Sequence, residues 1–325
     1  MISPRLTGHA GFTLVEMLVA VAIAGIVGMA AITVFTSTTR TTTAQTDLTD
    51  AQQNVRAAMD RLSQHVRAAG FGLPERATFS LTFGANTFTR PVSVTNSATG
   101  PDSLDLVGIG REAGILGDYN QSASGCNMPA TTCLWLDSNS DFKKDGTFNA
   151  LSRYISLGGA AFLEVSGIDG DNKIILTEPL ANLSVDFFNI TPRPSVFILQ
   201  ALRYTIATNL ENCSTVQPCL AVQDFSVSIN RNVLAQGIED LQIGVFISPP
   251  DTSGGGPATF SNNGSTSSPN LSALRINLVG KARNADRTST FTRPALEDRA
   301  ESAPDSFRRR VMTSVVKIRN PRPSS

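Results

Sequence analysis

Histidine is nearly missing from this chain: 325 residues contain two, His9 and His65. Nucleophilic mechanisms of the Ser-His-Asp or Cys-His kind need an imidazole oriented by a third group. No nucleophile motif, orienting carboxylate motif or phosphate-binding loop accompanies either histidine, so an enzyme reading has no machinery to name. His65 falls on a helical stretch and reads as a helix-surface or packing residue. Net charge is missing as well: 27 Lys and Arg balance 27 Asp and Glu. That balance excludes a general electrostatic affinity for nucleic acid. Charged residues make up only 17%, and small polar residues are abundant, a composition that suits an extracytoplasmic, loop-rich β protein. Proline is absent from residues 12–69, so nothing there forces a helix to break.

One long apolar run is present. Residues 12–35 hold a single charged side chain, Glu16. A charge at the centre of a bilayer costs roughly 2.5–3.5 kcal/mol on insertion scales. A membrane segment that keeps such a group uses it, most plausibly to meet a partner. The stretch in front, Met1 to Gly11, is short and polar, with Arg5 and no acid. A secretory signal places its cleavage site after the apolar core. Here the best processing point, between Gly11 and Phe12, precedes the core, so cleavage removes a leader and keeps the helix.

The order of these features, with Gly11-Phe12-Thr13-Leu14-Val15-Glu16 itself, resembles the prepilins of type IV pili and of type II secretion pseudopili. The resemblance implies a prepilin peptidase that cuts after Gly11 and methylates the new amine of Phe12. It also implies a role for Glu16 in filament assembly: pairing with the Phe12 amine of a neighbouring subunit as the chain leaves the bilayer. An unpaired buried carboxylate is expensive, and a paired one much less so. The competing reading is a plain signal anchor with an extracytoplasmic enzyme or binding domain. An uncleaved anchor usually carries more basic residues on its cytoplasmic flank.

Beyond the apolar run, Leu48, Ala51, Val55, Ala58, Met59, Leu62, Val66 and Ala69 recur at steps of three and four, one face of an α-helix. Gly70, Gly72 and Pro74 form a stop. The expectation is one helix over 12–69, membrane-spanning over 12–35 and amphipathic over 36–69, about 87 Å long if unbroken. Its weak point would be the Thr-rich stretch 32–43, because β-branched residues are poor helix formers. Unwinding there within a filament competes with an intact helix whose threonines bond back to their own turn.

From residue 78 the pattern changes to short strands: 103–109, 131–136, 152–157, 161–166, 172–177, 183–188, 196–206, 222–229, 240–247, 272–282 and 310–318. The fold class is therefore α+β, a long N-terminal helix packed on a largely antiparallel sheet. The divisions are a leader 1–11, the helix 12–69, a β-rich head 70–320 and a tail 321–325. Residues 248–270, rich in Ser, Pro, Gly, Asn and Thr, read as a flexible loop.

The four cysteines fall in two close pairs, Cys126 with Cys133 and Cys213 with Cys219. Four cysteines allow three connectivities; the short spacings favour two local loops. Neither pair is C-x-x-C and no histidine lies near, so zinc fits poorly. A head outside the cytoplasm is expected to oxidise them. Asp137, Asn139 and Asp141, followed by Asp145, match the start of a calcium loop. Phe142 and Phe148 stand where that loop needs Gly and Glu, and a plain Asx-rich turn is the competing reading. No other cofactor is expected. Arg308-Arg309-Arg310 could attract phosphates, but no aromatics interleave for base stacking. Alternation of Met312, Val316 and Ile318 with polar residues reads as a half-buried strand with solvated arginines, and no nucleic-acid partner is expected.

Four segments narrow the resemblance: Val66–Gly72, Gly237–Ile243, Leu274–Val279 and Arg308–Asn320. Together these look like PilW-type minor pilins, with the J-type minor pseudopilins of type II secretion as a related candidate. The resemblance implies a low-abundance subunit that primes or caps assembly, in support of adhesion, twitching motility, DNA uptake or secretion. Its implied partners are prepilin peptidase, other major and minor pilins, the inner-membrane assembly platform and the lipid bilayer. Its implied location is the inner membrane as a single-pass protein with a periplasmic head, and afterwards a pilus on the cell surface.

Overall fold

In the computed structural model one helix, α1 (Leu14–Ala68), runs 55 residues without a break. The structure describes residues 13–73, 79–117, 132–159, 161–178, 192–247, 260–261, 271–286 and 289–318. The Thr-rich stretch is helical, and its hydroxyls bond back one turn: Thr33 to the Met29 carbonyl at 2.9 Å, Thr39 to Phe35 at 2.9 Å and Thr43 to Thr39 at 3.0 Å. The helix ends where Gly70 (φ 79°) and Gly72 (φ 76°) enter the left-handed region, which glycine reaches without steric cost.

The strands follow in chain order: β1 (Leu81–Phe83), β2 (Asn86–Phe88), β3 (Val92–Thr95), β4 (Ser103–Ile115), β5 (Cys133–Trp135), β6 (Lys143–Lys144), β7 (Thr147–Phe148), β8 (Tyr154–Leu157) and β9 (Ala161–Asp169). They continue with β10 (Lys173–Leu176), β11 (Ser195–Ala207), β12 (Cys219–Asp224), β13 (Arg231–Gln236), β14 (Ile238–Ile247), β15 (Phe260–Ser261), β16 (Leu271–Lys281) and β17 (Arg309–Lys317). The pairings are antiparallel. β11 is the spine of a nine-stranded sheet, with β4 along one edge and β8 and β12 dividing the other. A second sheet has the order β15-β14-β16-β17.

Three apolar clusters fill the head. One joins both sheets to the C-terminal half of α1, bringing Val55, Met59, Leu62 and Val66 against Leu106, Tyr204, Ile243 and Ile276. A second, built on strands and loops alone, gathers Phe142, Ile155, Ile174 and Ile198. A third is aromatic, around Phe83, Phe88, Tyr154 and Phe225.

Several elements depart from the sequence pattern. The strand expected at 222–229 is β12, shifted to Cys219–Asp224. It stops because the Asp224 carboxylate accepts hydrogen bonds from the Ser226 N–H and hydroxyl, at 3.0 and 2.6 Å, and turns the chain. β13 then follows where no strand was expected. Phe260–Ser261, inside the Ser- and Gly-rich stretch, pairs with Val245 and Phe246 of β14; the Phe260 ring packs 5.2 Å from that of Phe246. The expected strand 183–188 lies outside the described residues.

The sheet face turned away from α1 is polar and covered. Glu297, buried at 2% side-chain exposure, receives two hydrogen bonds of 2.7 Å from the Arg275 guanidinium and one of 2.7 Å from the Asn277 amide. Asp240, fully buried, pairs with Arg293 at 3.1 Å and with Arg299. Arg309 pairs with Glu239 and with Asp305. Residues 289–307 are thereby fastened to the sheet by charge. Bidentate, charge-assisted geometry of this kind is what offsets the cost of burying ions. Asp102 fastens the two sheets together: its carboxylate accepts from the Ser97 and Ile243 N–H groups, both at 2.8 Å. Burial pushes this carboxyl up to about 6 against those two bonds.

Candidate assembly site

The N-terminal half of α1 stands clear of the head. The side chains from Leu14 (77% exposed) to Phe35 (72% exposed) are open along the whole apolar run, which is long and apolar enough to cross a membrane. Glu16 is the only ionisable side chain between Thr13 and Arg40. Thr13 is the N-cap, with extended backbone (φ −76°, ψ 151°). The Thr13 N–H and hydroxyl each donate to the Glu16 carboxylate at 2.9 Å, and the Glu16 N–H donates to the Thr13 hydroxyl oxygen at 3.2 Å. This is a capping box. It satisfies two backbone donors that a helix start otherwise leaves open, and it sets a negative group against the positive end of the helix.

The C-terminal half carries the load of the head. Ala51, Val55, Ala58, Met59, Leu62 and Val66 are buried. The fit leaves no room for side chains at two strand positions. A Cβ on Gly108 of β4 would lie 2.8 Å from the Ala68 carbonyl oxygen, and one on Gly280 of β16 would lie 2.4 Å from Val55. Asn54 donates to the Gln236 carbonyl at 3.2 Å, and Asn284 donates to Asp47 at 2.8 Å. His65 is hydrogen-bonded through Nδ1 to the buried Tyr204 hydroxyl. Burial and the nearby Arg61 hold the imidazole below its ordinary range, with Asp224 opposing. Burial also pushes the Tyr204 phenol upward.

The remaining sequence candidates are placed as follows. Gly11 and Phe12 lie outside the described residues. Cys213 and Cys219 are bonded, with Cα atoms 5.6 Å apart. Cys133 is disulfide-bonded, and Cys126 lies outside the described residues. In the Asx-rich loop, Asp137 accepts from the Ile115 and Ser138 N–H groups. The Asn139 amide donates to the Gly170 and Lys173 carbonyls, both at 3.1 Å. Asp141 faces Arg111 at 3.5 Å, and Asp145 sits at a turn with φ 53°. Among the described residues, no three His, Cys, Asp or Glu side chains gather to hold a metal ion. In the basic cluster, Arg308 pairs with Asp286 and Arg309 with Glu239 and Asp305. Arg309 is ion-paired with its side chain only 6% exposed, Arg308 is ion-paired yet 37% exposed, and Arg310 is exposed as the strand pattern predicts. Sequence reasoning missed Thr13 as a cap, although Thr-x-x-Glu in front of an apolar run is its signature. It also missed Tyr204, which no local pattern marks.

Comparison with known proteins adds a motif and a distant structural likeness. The prokaryotic N-terminal methylation motif matches residues 6–32. Among solved structures the chain is similar to the type IV-like pilin TTHA1219 from Thermus thermophilus. Identity is 10% and the TM-score 0.35, over 83% of this chain and 97% of that one. The comparison with curated proteins returns no match. The matched stretch contains the Gly11–Phe12 bond, the capping box and most of the apolar run. The chain therefore carries a type IV prepilin signal. Behind that signal the described residues form one long helix, apolar in its first half, followed by antiparallel β-sheets. The signal implies processing by a prepilin peptidase and assembly with other pilins.

Proposed function

We propose that this protein is a minor pilin of a type IV pilus, most similar to the PilW type, acting where assembly begins or at the tip. The observation that carries the reading is the division of α1: a motif-bearing apolar half with no partner among the described residues, continuous with a helix half buried in a large head. Such a half-helix suits storage in a bilayer and then packing among other apolar helices. A head with three apolar clusters and a charge-fastened outer sheet is bulky for a repeating shaft and tolerable at an end. This last step is an argument by family analogy.

Cleavage after Gly11 exposes the Phe12 amine, which is methylated. Glu16 then meets the Phe12 amine of a neighbouring subunit, and the two charges set the axial register. The Cys126–Cys133 and Cys213–Cys219 bonds stiffen a head that works outside the cytoplasm. The test is Glu16→Gln, which keeps a hydrogen-bonding carbonyl and removes the charge. The variant is expected to insert and be processed normally, and to be lost from sheared pili. Wild-type recovery of Glu16→Gln in pili would overturn the assigned role of the charge.

A further inference from the structure

Residues 210–212, the end of β12 at Gln223, the turn at 229–230 and strand β13 enclose a cleft of about 780 Å³ on the head, within the size range of small-ligand sites. Its walls are pinned by contacts of the chain with itself. The Cys213–Cys219 bond ties the first wall to the first residue of β12, and the Cys213 N–H donates to the Leu210 carbonyl at 2.9 Å. Asn212 holds a left-handed backbone (φ 62°), which asparagine tolerates better than most residues. On the opposite wall the Gln223 amide donates to the Ile229 carbonyl, and the Asn230 N–H donates to the Ser228 hydroxyl at 3.0 Å. Arg231 spans the two walls and donates to the Asn209 side chain at 3.2 Å. A cleft held in shape before binding lowers the ordering cost of taking a ligand.

Half of the lining is carboxamide: Asn212, Gln223, Asn230, Asn232 and Gln236. Apart from Gln223 these are exposed, and among the described residues their side chains have no hydrogen-bond partner. A carboxamide sets two N–H donors beside an oxygen with two lone pairs. It can therefore donate to one hydroxyl and accept from the next. The cleft's only charges are Glu211 and Arg231, one of each sign, so neither a phosphate nor a metal ion finds a surplus of opposite charge. No aromatic ring lines it, so a flat aromatic ligand has no stacking face. Ile229, 67% exposed, and Val233, 37% exposed, supply a little apolar surface. A ligand that matches is neutral, dense in adjacent hydroxyls and apolar on its C–H face.

We propose that this cleft binds a neutral saccharide, with the carboxamides of Asn212, Asn230 and Gln236 holding adjacent hydroxyls and Ile229 and Val233 against the C–H face of the ring. The inference concerns the head alone and needs neither leader removal nor entry into a filament.

The experiment measures retention of the full-length chain, in a detergent without a sugar headgroup, on immobilised neutral oligosaccharides of hexoses and N-acetylhexosamines. Sialylated and uronic-acid oligosaccharides and extended peptides are immobilised beside them. The expected result is retention on neutral chains, competed away by the same oligosaccharide in solution. Asn212→Gly removes a carboxamide and keeps a residue at ease with φ 62°. Asn230→Ala and Gln236→Ala remove exposed side chains and leave the backbone pairing alone. Each variant is expected to weaken retention about fivefold, the worth of one or two net hydrogen bonds. The melting temperature should stay at the wild-type value, as exposed positions allow. Wild-type protein that ignores every neutral oligosaccharide would overturn the inference. So would retention on the acidic oligosaccharides or the peptides alone, or retention of all three variants at the wild-type level.

Discussion

The two halves of α1 share one unbroken backbone and meet opposite surroundings. Among the described residues, residues 14–46 are almost wholly exposed, and polar groups in them are satisfied locally by the Thr13–Glu16 box and by threonine back-bonds. Residues 51–69 bury a stripe in the head and bring backbone against backbone at Gly108. Helical hydrogen bonds alone are marginal in water, and most helix stability in a folded domain comes from burying a face. The C-terminal half is therefore held by the head. The N-terminal half is an apolar surface that the head leaves exposed. The proposed function uses this division: the half that would enter a membrane or a filament is not the half that holds the head together.

The comparison breaks most readily at Leu62, which is fully buried. Leu62→Ala is expected to lower the unfolding free energy of the head by about 3 kcal/mol, as core truncations do. Leu18→Ala, 63% exposed in the free half, should leave it unchanged. Denaturant titration of both variants in detergent checks the pair; equal effects would refute the division. A smaller effect is expected at the backbone contact. Gly108→Ala drives a Cβ toward the Ala68 carbonyl, which cannot rotate away, and should cost about 1–3 kcal/mol. The smallest effect is a pH slope. The folded imidazole of His65 is depressed, so the unfolded chain binds its proton more readily. That contribution to stability is present above the unfolded value of about 6.5 and is lost as pH falls toward the folded one. Asp102, raised to about 6, works the other way. Its contribution is full below an unfolded value of about 3.9 and fades as pH rises through 6. His65→Gln should remove the first slope and Asp102→Asn the second, in thermal melts from pH 4 to 8.

Much of this division is legible in the sequence. The apolar run with its one carboxylate, the three-and-four stripe from Ala51 to Ala69 and the Gly70–Gly72 stop give α1 to within two residues at each end. The long strands β4, β11, β14, β16 and β17 carry enough alternation to be found. β13 does not: Arg231-Asn232-Val233 is polar and exposed on its outer side, and only pairing with β12 makes it a strand. The charge network was out of reach for another reason. Glu239, Asp240, Arg275, Asn277, Glu297 and Arg309 are scattered over seventy residues; sheet register brings the strand residues together and the segment 289–307 carries Glu297 onto them. Arg308 and Arg309 therefore read as solvated in sequence and are ion-paired in the fold. Glu16 was legible as a functional charge, whereas its bond to Thr13 waited for the helix start to be placed.

The most direct test of the central claim is the N-terminus of the protein purified from membranes, measured by intact mass and terminal fragmentation. The account predicts a chain that begins at Phe12 and carries an N-methyl group on it. A chain that still begins at Met1 would contradict it.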